Sequence, residues 1–163
     1  MDGIAEAERS AEEYRREAEN LFTASERMME EHRALVKRVK TLSSKAKNSS
    51  KMRDECSREA SDSENEADSW RKRYDERKGR NALDLTTERN QINMYSQSAK
   101  GMRMKEKKAE SDRIKFEREI DECNEKASRL KKESLTLKRK SNEMHELYVG
   151  QLRKISELKK QTY

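Results

Sequence analysis

Trp70 to Glu88 reads WRKRYDERKGRNALDLTTE, and the fold depends on whether the chain runs straight through this stretch or turns back at it. The stretch is basic and holds the chain's one Trp. Gly79 suits the left-handed residue just past a helix end. Asn81 suits the N-cap of a following helix, with Asp84 three residues on as an acidic variant of the capping box. Gly79 and Asn81 together therefore mark a fold-back point.

Upstream lies one apolar repeat. With Ile4 as heptad position a, the a row includes Ala11, Ala18, Ser25, His32, Val39, Ala46, Arg53, Ala60 and Ala67. The d row includes Ala7, Tyr14, Leu21, Met28, Leu35, Leu42, Ser49, Cys56, Ser63 and Trp70. The spacing never slips, which predicts a single helix over 4–77. Downstream, a second unbroken register begins at Leu85 and passes through Ile92, Ala99, Arg113, Ile120, Ala127, Ser134, Ser141, Tyr148 and Ile155. It predicts a second helix over 83–162, with a turn at 78–82. Neither repeat carries enough apolar surface to hold a helix alone, so each needs a partner along its length.

Two architectures satisfy that need. One is all-α, a long two-helix antiparallel coiled-coil hairpin forming a single unit over 1–163. The alternative is a single continuous helix that forms a parallel coiled-coil dimer, absorbing the register offset as a stutter. They differ about twofold in length, ~115 Å against ~240 Å at 1.5 Å per residue. Folding the sequence at Gly79 to Asn81 favours the hairpin. Facing residues then include Ala7 with Ile155, Leu21 with Ser141, Met28 with Ser134, His32 with Leu130 and Ala46 with Phe116. Small faces large in most layers, which fills a constant separation without voids. A register shifted by one heptad puts Leu42 on Arg113 and leaves almost no loop.

Charge points the same way. Residues 1–31 carry ten acids and four bases, while 131–163 carry nine bases and four acids. A hairpin lays these against each other. A parallel dimer stacks like on like and places Arg53 on Arg53.

Composition narrows the function classes. Charged residues are 44% of the chain, the apolar set 31%, and Pro is absent, a balance typical of long helices. No apolar run is long enough for a membrane span. The start, MDGIAEAERS, lacks the basic and apolar regions of a signal peptide. The two cysteines, Cys56 and Cys123, suggest neither a disulfide framework nor a zinc site. They fit a reducing intracellular compartment, cytoplasmic or nuclear. His32 on the seam and His145 off it are too far apart in a hairpin to share a metal. No phosphate-binding Gly loop and no nucleophile paired with a base is present. The expectation is a non-enzymatic protein with no catalytic, cofactor-binding or metal residues and no cofactor.

Two candidate interaction surfaces remain. The turn carries Arg71, Lys72, Arg73, Arg77, Lys78 and Arg80 beside Trp70 and Tyr74, a basic knob suited to an acidic protein surface or to nucleic-acid phosphate. Surplus apolar residues flank the seam toward the termini: Phe22, Met29 and Val36 on the first helix, and Leu135, Leu147 and Leu152 on the second. A widened apolar face calls for a further helix, from a protein partner or from a homo-oligomer. The function expected is a structural or interaction protein, a coiled-coil arm or assembly subunit docking protein partners through the end that carries the termini. The alternative is a nucleic-acid-binding arm that uses the basic turn.

Overall fold

Both repeats are realised as helices, and the chain folds back between them. In the computed structural model, which describes residues 2–162, α1 spans Asp2–Gly79 and α2 spans Thr86–Gln161. The two pack against each other, so the fold is an all-α helical hairpin. Each helix complements its own dipole: Asp2 and Glu88 sit in first turns, Arg77, Lys78, Lys159 and Lys160 in last turns.

The fold-back differs in detail from the expectation. Gly79 is the last residue of α1 and does not take a left-handed backbone, whereas Asn81 does, with φ of 59°. The Ala82 amide donates to the Arg77 carbonyl at 3.0 Å and the Asn81 amide to the Lys78 carbonyl at 3.1 Å. That nested pair is a Schellman closure, with Asn81 in the left-handed position that caps α1. Asn81 thus closes the C-terminus of the first helix, just beyond its last residue, rather than capping the start of the second. Asp84 takes over the second role, its Oδ1 accepting the Thr86 amide at 3.0 Å. This moves the start of α2 to Thr86 and leaves residues 80–85 as the connection.

The structure divides into two units. The terminal unit pairs the α1 segment up to Val39 with the α2 segment from Asp121. Its seam is made of small side chains: Ala7, Ala11, Ala18, Ser25, Ala127, Ser134 and Ser141 are buried, and Ile155 is the one larger aliphatic among them. The largest side chains buried almost completely are Ser25 and Ser134, at 1% and 2% exposure. Small residues let two helix backbones approach closely, and close backbones push the larger Leu21, Met28, Leu35, Leu130 and Leu137 to a half-buried position beside the seam.

Polar contacts across this seam are direct. Ser25 and Ser134 each donate to the other's carbonyl at 3.0 Å. Ser141 donates to the Ala18 carbonyl at 2.7 Å. Nδ1 of His32 lies 2.9 Å from the Ala127 carbonyl and donates to it as N–H. In every case an a-row residue meets another a-row residue. The expected layers were a on d, with Ser134 opposite Met28, Ser141 opposite Leu21 and His32 opposite Leu130. The actual partner lies three residues away each time, less than one turn. A hydroxyl in a low-dielectric seam needs an acceptor, and the close backbone carbonyl supplies one.

The turn unit runs from Lys40 to Ile120. Its seam is again small, with Ala46, Cys56, Ala60, Ala67, Ala99 and Ala109 buried and Leu42 the largest among them. Arg53 falls on the seam and is retained by charge: its Nη1 lies 2.6 Å from Glu110 Oε2. Glu110 also binds Arg113, which binds Glu117 in turn. Arg103 bridges Glu64 and Glu106 at 3.0 and 2.9 Å. Around Arg53 and around Glu106 to Arg113, where the two repeats are poor in apolar side chains, the helices are thereby tied by ion pairs. Ser63 and Ser98 hydroxyls lie 3.3 Å apart, and Lys45 sits 5.9 Å over the Phe116 ring. Both contacts exclude the register shifted by one heptad, which places Ser98 beside Ser57 and Phe116 beside Val39.

Candidate functional site

In the terminal unit, α1 carries a row at seven-residue steps: Glu8, Arg15, Phe22, Met29 and Val36. On α2 the corresponding row is Lys131, Lys138, His145, Leu152 and Lys159. Glu8 and Lys159 form an ion pair at 3.2 Å, which shows that the two rows adjoin on one side of the seam. That flank holds Phe22 at 47% exposure, Val36 at 40% and Leu152 at 44%, with Met29 half-buried. Leu135, three residues before Lys138, lies on the same side and is 59% exposed. Leu147 is also exposed, but it falls beside the d row, on the opposite flank. Five of the six apolar candidates therefore share one side, and Leu147 does not.

The turn is more internally engaged than its charge count implies. The Arg77 guanidinium binds the carboxylate of Glu88, which is 4% exposed and held below the usual carboxylate range chiefly by that bond. Arg71 pairs with Asp68 at 2.6 Å and donates to the Ser96 hydroxyl at 3.1 Å. Arg73 stacks on Trp70, 4.5 Å from the ring centroid. Lys78 and Arg89 lie over the Tyr74 ring at 5.9 and 5.8 Å. Arg89 also donates to the Tyr74 hydroxyl, which lowers that phenol's pKa. Stacking guanidinium or ammonium groups on an aromatic face is favourable and fixes their direction. Lys72 and Arg80 complete the cluster as exposed side chains.

Two features of the sites escaped sequence reasoning. Leu83 is fully exposed in the connection, between the two heptad registers and outside both. Its isolation from either repeat was the available signal. The seam hydroxyls of Ser25, Ser134 and Ser141 read as small spacers, and nothing in their spacing distinguishes a spacer from a cross-helix donor.

Among the described residues no group of three His, Cys, Asp or Glu side chains gathers as a metal site, and no helix is long and apolar enough to cross a membrane. Cys56 is a buried free thiol and Cys123 a half-buried one. No family model, curated protein or solved structure matches this chain.

Proposed function

We propose that this chain is a non-enzymatic structural and interaction element, a helical-hairpin arm or assembly subunit that docks a protein partner through the apolar flank of its terminal unit. One observation carries the reading. Phe22, Val36, Leu135 and Leu152 stand exposed on one side of a hairpin whose own seam is already closed by Ala and Ser. Large apolar side chains left this exposed and gathered on one side of a helix pair are what an interaction site presents. The free, unpaired cysteines suit a reducing intracellular setting.

Photo-crosslinking in cells tests this reading. A photoreactive side chain at position 22 or 135 is expected to give protein adducts. The same group at Glu17, beside the d row on the opposite flank, is the control. Equal yields at all three positions would remove the basis for the proposal.

A second reading gives the turn a phosphate-binding role. Lys72, Lys78 and Arg80 remain exposed toward the turn end of α1, and Leu83 in the connection is fully exposed. Single-stranded nucleic acid at about 50 mM salt is the probe, since phosphate contacts weaken steeply with salt. Binding lost on reversing Lys72, Lys78 and Arg80 to Glu supports a nucleic-acid arm, and absence of binding at that salt rules it out.

A further inference from the structure

α1 changes the sign of its charge within the apolar flank. Up to Glu31 it carries ten acids and four bases; from His32 to Arg53 it carries eight bases and no acid. The apolar row Phe22, Met29, Val36 spans that change, with Met29 at its middle. In the adjacent row, Glu26 precedes the midpoint and Arg33 follows it, one on each side. Glu26 is half-buried and Arg33 exposed.

Such a row is complementary to its own reverse. Reversing the helix direction about Met29 exchanges Phe22 with Val36, large with small, and brings Glu26 to within one residue, about 1.5 Å of helix rise, of the level of Arg33, acid beside base. A patch that complements itself under a two-fold rotation is what an isologous dimer requires. A copy laid parallel on the same helix stacks Glu26 on Glu26 and Arg33 on Arg33, which like-charge repulsion disfavours.

We propose that a second copy of this chain covers the flank, its α1 running antiparallel to the first across a two-fold axis at Met29. Phe22 of each copy packs beside Val36 of the other, and Glu26 of each faces Arg33 of the other. The inference rests on the docking reading of this flank and names its occupant.

Sedimentation equilibrium of the full chain provides the test, with circular dichroism confirming that each variant stays helical. The native chain is expected to dimerise in the micromolar range. Glu26→Lys or Arg33→Glu alone weakens the dimer on the order of tenfold, because each change alters two symmetry-related pairs. The double variant, Glu26→Lys with Arg33→Glu, restores dimerisation to within about twofold, because it reinstates the same pairs with signs exchanged. Met29→Cys, in a chain with Cys56 and Cys123 changed to Ala, is expected to form a disulfide-linked dimer at the axis. A native chain that stays monomeric at roughly 100 µM overturns the proposal. So does a double variant no better than the singles, or a Met29→Cys chain that does not link. If the chain is monomeric while positions 22 and 135 still give adducts with other proteins, the second copy is wrong and the docking reading stands. If those positions give no adducts, both fall.

Discussion

Ser25 and Ser134 hold the two helices of the terminal unit together through mutual hydrogen bonds, each hydroxyl reaching the other's main-chain carbonyl at 3.0 Å. The two hydroxyl oxygens are themselves 3.0 Å apart, and both side chains are almost wholly buried. The helix backbones are therefore close enough at this level that a serine suffices to bridge them. Ser25→Ala removes the cross-helix donor to the carbonyl of Ser134, which keeps its intrahelical amide, and the expected cost is about 0.5–1.5 kcal/mol. The double change Ser25→Ala with Ser134→Ala is expected to cost less than the sum of the singles, since it removes both hydroxyls together. Thermal or urea unfolding of the four proteins measures the coupling. Strict additivity would show that the serines act as independent spacers.

Close backbones leave no room for growth in the turn unit either. Ala60 has 0% exposure. Ala60→Leu is expected to destabilise by roughly 1–3 kcal/mol through overpacking, since leucine is nearly as good a helix former as alanine and propensity contributes little to the difference. A denaturant midpoint equal to or above that of the native chain would show the seam is looser than described.

The fold-back gives opposite expectations for its two marker residues. Gly79 is helical, and a Cβ added there meets nothing within 4 Å. Gly79→Ala is therefore expected to stabilise by about 0.5–1 kcal/mol. Asn81, with φ of 59°, should tolerate Gly and resist Val, the latter costing about 1–2 kcal/mol. Unfolding of the three variants decides which residue carries the left-handed position.

The Glu110 carboxyl in the turn unit is lowered from 4.5 to about 2, first by its hydrogen bond with Arg113 and then by that with Arg53. A carboxyl whose folded pKa is depressed contributes stability that is full above its unfolded value. That contribution is lost as pH falls from about 4.5 toward about 2. Glu110→Gln should accordingly be less stable than the native chain at pH near neutral and indistinguishable from it at acid pH, near or below about 2. Thermal melts across that range test this, and a difference that persists unchanged in strong acid contradicts it. The group is only half-buried, so the difference is expected to be small and to shrink further with added salt.

The heptad rows were legible because Leu21, Met28, Leu35 and Leu42 recur at a spacing that only a helix uses. The reversal was legible because an acidic segment, 1–31, and a basic one, 131–163, lie at opposite ends and Gly79 and Asn81 sit between them. What the sequence left open has a physical cause in each case. Gly and Asn both tolerate a left-handed backbone, so only the closing hydrogen bonds at Arg77 and Lys78 decide between them. Ala and Ser in the a rows permit either an a-on-d or an a-on-a approach, and the choice follows from where a buried hydroxyl finds a carbonyl. The charge of the turn was readable from Arg71 to Arg80. That Arg73 is spent on Trp70 and Arg77 on Glu88 depends on side-chain directions that spacing does not carry. The shared side of Phe22, Met29, Val36 and Leu152 followed from heptad position once the ion pair of Glu8 with Lys159 showed which rows adjoin.

The fold-back and its register meet their most direct test in one disulfide. Ser25→Cys with Ser134→Cys, in a chain with Cys56 and Cys123 changed to Ala, brings two thiols to where hydroxyl oxygens now lie 3.0 Å apart. Under dilute oxidation the account predicts a bond within a single chain, seen as a faster-migrating monomer that reverts on reduction. Cysteines at Ser25 and Ala127, the pair that a one-heptad shift brings together, should not link. Bonds formed only between chains, or formed as readily at Ala127 as at Ser134, would contradict it.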